Sequence, residues 1–139
     1  VALHLIKLSV GTESIEDLAF WQQERLRDKG AVYHQTRMTP RREAELLDGG
    51  SIYWIIKGYT RARQRLTGIE PHTDLEGNSF VRLMLDPELI PVEIRRHRPF
   101  QGWRYLDPKD APPDLSGAAG DSAPLPEHIE QALRDIGFG

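Results

Sequence analysis

Apolar residues in this chain change their period several times, and each change marks an element. Leu3 to Val10 is apolar enough to read as a first, largely buried strand, and Gly11 ends it. Ser14 with Asp17 three positions later has the form of a capping box. Ile15, Leu18, Trp21, Gln22 and Leu26 then form a mostly apolar helical stripe, which Gly30 terminates. The stripe predicts a helix packed on a sheet. Ala31 to Arg37 reads as a short strand. Thr39-Pro40 supplies a capping residue and a helix-starting proline for a second, short helix over Arg41 to Asp48, with Leu46 and Leu47 facing inward and Gly49-Gly50 ending it.

From Ser51 the period becomes two. Ile52, Trp54 and Ile56 share one face, and Tyr53, Ile55 and Lys57 share the other. Two more strands follow, Thr60 to Glu70 after a bend at Gly58, and Phe80 to Leu85 with Val81, Leu83 and Leu85 inward and Arg82 outward. Asp74 to Asn78 suits the hairpin loop between them. Pro87, Pro91 and Pro99 make Ile90 to Arg96 and Gln101 to Leu106 edge strands or extended loops. The expectation is one α+β domain over residues 1–115, a curved, mostly antiparallel sheet with two or three packing helices. Residues 116–139 read as the rest of a Pro/Gly-rich acidic linker, which begins near residue 107, and a closing helix from Pro126 to Ile136.

Composition narrows the chemistry. The 139 residues suit a single core. No Cys is present, so thiolate nucleophiles, disulfides and cysteine metal sites are excluded. No apolar run approaches the roughly 20 residues of a membrane span, and the start lacks a secretory pattern, so a soluble cytoplasmic protein with no membrane partner is expected. The net charge of -3 is unevenly distributed. Residues 31–104 carry 12 Lys and Arg against 9 Asp and Glu, whereas residues 105–139 carry 2 against 7. A basic middle joined to an acidic tail makes the middle the place to seek an anionic ligand.

No phosphate-binding glycine loop and no nucleophile elbow occur, and Ser51 after Gly49-Gly50 is accounted for by turn chemistry. His72, Asp74 and Glu76 alternate as metal ligands can, but they also compose an ordinary solvated loop, and no metal or other cofactor is assigned. His4, His34, His97 and His128 have no ligand spacing. The strongest constellation lies between Lys57 and Tyr105. In an extended strand Tyr59, Arg61, Arg63 and Arg65 project from one face, a guanidinium row that calls for phosphates or carboxylates opposite. Arg95 to Tyr105 interleaves cations with rings, the combination that holds single-stranded nucleic acid.

The expected function is therefore binding of RNA or another phosphate-bearing ligand through Lys57, Tyr59, Arg61, Arg63, Arg65, Arg82, Arg98, Phe100, Gln101, Trp103 and Arg104. Two alternatives stay open. One is a small-molecule enzyme or ligand-binding domain with a cleft near Trp54, Tyr53 and Arg98 to Tyr105. The other is a protein-interaction module that uses the tail. Catalytic residues, enzymatic status and oligomeric state are not assigned.

The segments TRMTPRREAELLDGGSIYWIIKG (36–58), ARQRLTGIEPHTD (62–74) and residues 83–112, with the opening 2–18, resemble an uncharacterised family of small, mainly alphaproteobacterial proteins, the domain of unknown function numbered fourteen eighty-nine. That resemblance identifies bacterial relatives without implying an activity. A looser likeness, in which a glycine-ended helix leads into a strand at Ala44 to Ser51 and a later strand begins at Gly68-Ile69, is similar to the small pseudouridine-synthase-and-archaeosine-transglycosylase (PUA-like) barrels with their ASCH and EVE branches. It implies a closed barrel and a cleft for RNA or modified bases.

Overall fold

The computed structural model describes residues 2–115, so the expected linker and helix at 116–139 lie outside the described residues. The chain runs β1 (His4–Leu8), α1 (Ile15–Lys29), β2 (Val32–Thr36), α2 (Glu43–Leu46), β3 (Ser51–Ile56), β4 (Tyr59–Thr73), β5 (Ser79–Leu85), β6 (Ile90–Arg96) and β7 (Trp103–Leu106), followed by a 3₁₀ turn at Pro108–Asp110. The class is α+β. One mixed sheet has the order β2-β5-β4-β3-β1-β7, with β6 also on β4. Among the described residues only β1 and β3 pair in parallel, joined through α1, β2 and α2, and every other pair is antiparallel.

The long strand β4 organises the sheet. One peptide unit shows how: Leu66 N–H donates to Gly50, before β3, while the Arg65 carbonyl accepts from Asp86, after β5. The two groups of one planar peptide point to opposite sides, so β3 lies along one edge of β4, and β5 and then β6 along the other. Both edges of its first half are taken. β3 is correspondingly buried at all six positions, which is what its unbroken apolar run requires.

Two apolar clusters follow from the period-two pattern. Leu5, Ile52, Trp54, Ile56, Leu66, Leu83, Leu85 and Val32 meet Leu18 of α1 and Leu46 of α2 on one face. Ile6, Tyr53, Ile55, Val92, Phe100 and Leu106 fill the other, closed over by Ala111 from the segment after β7. That segment is tied down by pairing of Asp114 with Val92 and by Glu93 N–H donating to the Pro113 carbonyl.

Helix α1 begins and ends as its sequence predicts. The Ser14 hydroxyl accepts from Asp17 N–H, and Gly30 closes the helix at φ 76°. Trp21 departs from the expected stripe: Leu18 is buried, but Trp21 is 60% exposed at the edge of the packed face. The second helix departs more. It starts at Glu43 behind Arg42, not at Thr39-Pro40, and the Arg41 and Arg42 N–H groups donate to the Tyr105 hydroxyl on β7 in place of a Thr39 cap. Gly50 is required for contact rather than conformation, since a Cβ there would fall 2.2 Å from the Leu3 carbonyl oxygen and 2.3 Å from that of Leu46.

Among the described residues the sheet is open, not the closed barrel that the looser likeness implied. β2 and β7 are its two ends. The connection after β2 is held against β7 by side chains: Trp103 Nε1 donates to the Met38 carbonyl at 2.7 Å, beside the Tyr105 contacts. A loop anchored by two rings stands where strand pairing would close a barrel.

Candidate functional site

The arginine row expected on β4 does not form. Ile55 pairs with Thr60 and Trp54 with Ala62, so Arg61 is the extra residue of a β-bulge. Thr60, Arg63 and Arg65 therefore share the Tyr53 face, and Ala62, Gln64 and Leu66 the Trp54 face. Arg61 is 4% exposed, its pKa lowered by burial and partly restored by the Glu16 carboxylate on α1. Arg63 meets Asp114 through two N–H···O bonds of 2.7 Å and donates to the buried Ser51 hydroxyl at 2.9 Å. Ser51 N–H in turn donates to His4 Nδ1 at 3.0 Å. Hydrogen bonding and charge from Asp114 raise the Arg63 pKa despite burial. Arg65 alone of the three is exposed.

The other residues of that expected surface are dispersed. Lys57 pairs with Glu13 at 3.5 Å, and Tyr59 lies opposite Arg96. Phe100 and Trp103 are buried in different clusters on opposite faces. Arg104 caps the Phe100 ring at 4.6 Å, while Arg98 and Gln101 are exposed beside them. The expected cleft of Trp54 with Tyr53 does not exist as one space either, since adjacent strand residues face opposite sides. At the hairpin, the Asp74 carboxylate accepts from Glu76 and Asn78 N–H, and His72 pairs with Glu70. No group of three metal-ligating side chains occurs among the described residues.

A different site is assembled at the end of β1. Its loop turns sharply: Thr12 Oγ1 donates back to the Ser9 carbonyl, and Gly11 takes φ 82°. Between this loop, α1 and β2 lies a cleft of roughly 450 Å³, within the range of small-molecule sites. Lys7, Arg25 and His34 supply its nitrogen groups, Trp21, Tyr33 and Trp54 its rings, and Ser9 and Thr12 its hydroxyls.

The position of each group has a local cause. Lys7 lies on the inward face of β1, in register with Trp54. Trp54 is fixed by an amide network: its Nε1 donates to Gln64 Oε1 at 3.0 Å, and Gln64 and Gln22 exchange two further bonds at 2.8 and 2.5 Å, binding α1 to the sheet. His34 comes from the far end of the sheet. Sheet curvature brings its ring edge-on to Trp54 at 5.6 Å, although β5 and β4 separate their strands. Arg25, on α1, lies 5.0 Å from the centre of the Tyr33 ring and donates to the Tyr33 carbonyl at 2.6 Å.

The electrostatics of this cleft are one-sided. Among the described residues no Asp or Glu lines it. Among the described residues neither Lys7 nor Arg25 makes an ion pair, and Lys7 donates only to the Leu8 carbonyl. Burial lowers the Lys7 pKa. Burial, reinforced by Lys7 and Arg25, lowers that of His34 to about 4, so its imidazole is neutral near pH 7. Its Nε2 is buried with no hydrogen-bond partner among the described residues. Sequence reasoning passed over this site because Lys7, Arg25 and His34 come from three separate elements with no common spacing. The signal available was Lys7 itself, a cation inside an otherwise apolar strand.

Fold and site together define an open-sheet α+β domain with a cationic, ring-lined cleft at the carboxyl end of its one parallel strand pair. The chain belongs to the family described as Protein of unknown function (DUF1489), whose match spans residues 5–138. No curated protein and no solved structure matches the chain at a significant level. No helix among the described residues is long and apolar enough to cross a membrane.

Proposed function

We propose that the domain binds a phosphate-bearing ligand with a planar ring, a nucleotide unit, in the cleft between β1, α1 and β2. The observation that carries this reading is the pair of cations, Lys7 and Arg25, around a cleft with no carboxylate and an unpartnered, buried His34 Nε2 among the described residues. Lys7 is half-buried and Arg25 stands exposed at the cleft, neither with a counter-charge among the described residues, so an entering phosphate accepts charge-assisted hydrogen bonds from both and offsets the cost of burying Lys7. Trp21, exposed at the rim, offers a surface for a ring. The neutral imidazole can donate to or accept from a base edge or ribose hydroxyl.

A free nucleotide and the end of a single RNA strand share this chemistry. Titration of the full chain with the four nucleoside monophosphates and with short single-stranded RNA, read by tryptophan fluorescence, separates them. Binding of RNA alone, with an affinity that falls steeply with salt, identifies a strand. Binding of the monophosphate, with a shallow salt dependence, identifies the free nucleotide. Lys7→Met is expected to weaken either by roughly tenfold to a hundredfold, the range for a hydrogen bond to a charged group. Absence of binding by all of them at millimolar concentration, or affinity indifferent to both Lys7→Met and Arg25→Met, overturns the reading.

A further inference from the structure

We infer that the ligand carries a second phosphate, and that Arg82 reads it across the Tyr33 ring from the cleft. This deepens the nucleotide reading and rests on it. Tyr33, which lines the cleft, also carries Arg82 of β5 on its ring. Two guanidinium groups share its ring: Arg25 Cζ lies 5.0 Å from the ring centre and Arg82 Cζ 4.6 Å. Their separation is therefore at most the sum of those distances, within the reach of adjacent phosphates.

Among the described residues neither cation is offset by a carboxylate. Strand register places Glu70 opposite Arg82, the usual cross-strand solution. Glu70 is instead paired with His72, whose ring stacks on Phe80 at 5.4 Å. Arg82 turns to the rings of Tyr33 and Phe80, and its Nε is buried without an acceptor among the described residues. No ion pair of Arg82 occurs among the described residues. Two like charges on one ring repel each other, and a bridging oligophosphate reverses that repulsion with the planar fork that guanidinium presents to phosphate. Rings hold both guanidinium groups in place before the ligand arrives.

The test compares adenosine monophosphate with adenosine diphosphate, titrated by calorimetry into the full chain and into Arg82→Gln. In the native chain the diphosphate is expected to bind about tenfold tighter or more, as one added charge-assisted contact allows. Arg82→Gln should abolish that increment and leave the monophosphate within about threefold of native, since Arg82 does not line the cleft. If Arg82→Gln does not fold, Arg82→Lys, which keeps the charge and loses the fork, should remove part of the increment. A monophosphate that binds while the diphosphate gains nothing overturns the second phosphate and leaves the cleft reading intact. An increment that survives in Arg82→Gln removes Arg82 from it. If neither nucleotide binds, both readings fall.

Discussion

Two cationic sites lie on opposite faces of the same sheet, and they treat their charges in different ways. On one face Arg63 is met by Asp114 in a two-bond fork and by the Ser51 hydroxyl. On the other, Lys7 and Arg25 line a cleft with no carboxylate in its walls among the described residues. The first arrangement is self-satisfied and reads as a structural tie, holding the segment after β7 against the sheet. The second is incomplete without an anion. A completed ion pair fastens the chain to itself, whereas an uncompleted one leaves interaction energy for a ligand.

The largest expected effect sharpens this contrast through pH. His34 is held neutral, its pKa lowered from 6.5 to about 4 by burial and the two cleft cations. The unfolded chain takes up a proton as the pH falls through about 6.5 while the folded chain refuses it until about 4, so stability falls across that window. The contribution of His34 to the loss is roughly 3 kcal/mol. Urea unfolding of the native chain and of His34→Gln between those limits measures it as the difference in slope. Equal slopes would mean that the cleft does not suppress the charge.

Next in size, Asp114→Ala leaves Arg63 with its hydroxyl partner only. About 2 kcal/mol of stability should be lost, less than for a fully buried pair because both side chains keep some solvent contact. No loss in urea unfolding would make the tie ornamental. Gln64→Leu should cost about 1–2 kcal/mol, since the buried Trp54 Nε1 and the Asp86 carbonyl both lose their partner. It should also weaken ligand binding by releasing α1 from the cleft.

The smallest effect has the opposite sign, and it breaks the comparison most directly. Lys7→Met removes an uncompensated cation at similar volume. Thermal unfolding should show stability unchanged or raised by up to about 1 kcal/mol, while nucleotide binding falls. A clear destabilisation would show that Lys7 is satisfied by the protein and not waiting for a ligand.

Much of the architecture was legible because its signals are local. Ser14 with Asp17 and Gly30 bound α1 as read, the alternation from Ile52 to Ile56 marked the doubly buried β3, and Asp74 to Asn78 marked the hairpin. The arginine row was not legible in its true form. Strict alternation assumes one residue per pairing step, and the bulge at Arg61 inserts a second, which sends Arg61 and Arg63 to different partners. The start of α2 was also misplaced: Tyr105, 64 residues away from Arg41, accepts from an N–H group that a Thr39 cap would have bonded, a contact no local signal announces.

The sequence by itself determined that this is an α+β domain without thiol chemistry, with its strands, its first helix and a basic middle, since period, caps and composition act over a few residues. Which cations remain without counter-charges was decided only by the tertiary structure. That depends on curvature bringing His34 to Trp54, on Asp114 returning to Arg63, and on Glu70 pairing with His72 in place of Arg82. The first two are contacts between distant segments, the third is settled by which neighbour Glu70 turns to across or along its strand, and charge compensation is a property of three-dimensional neighbours.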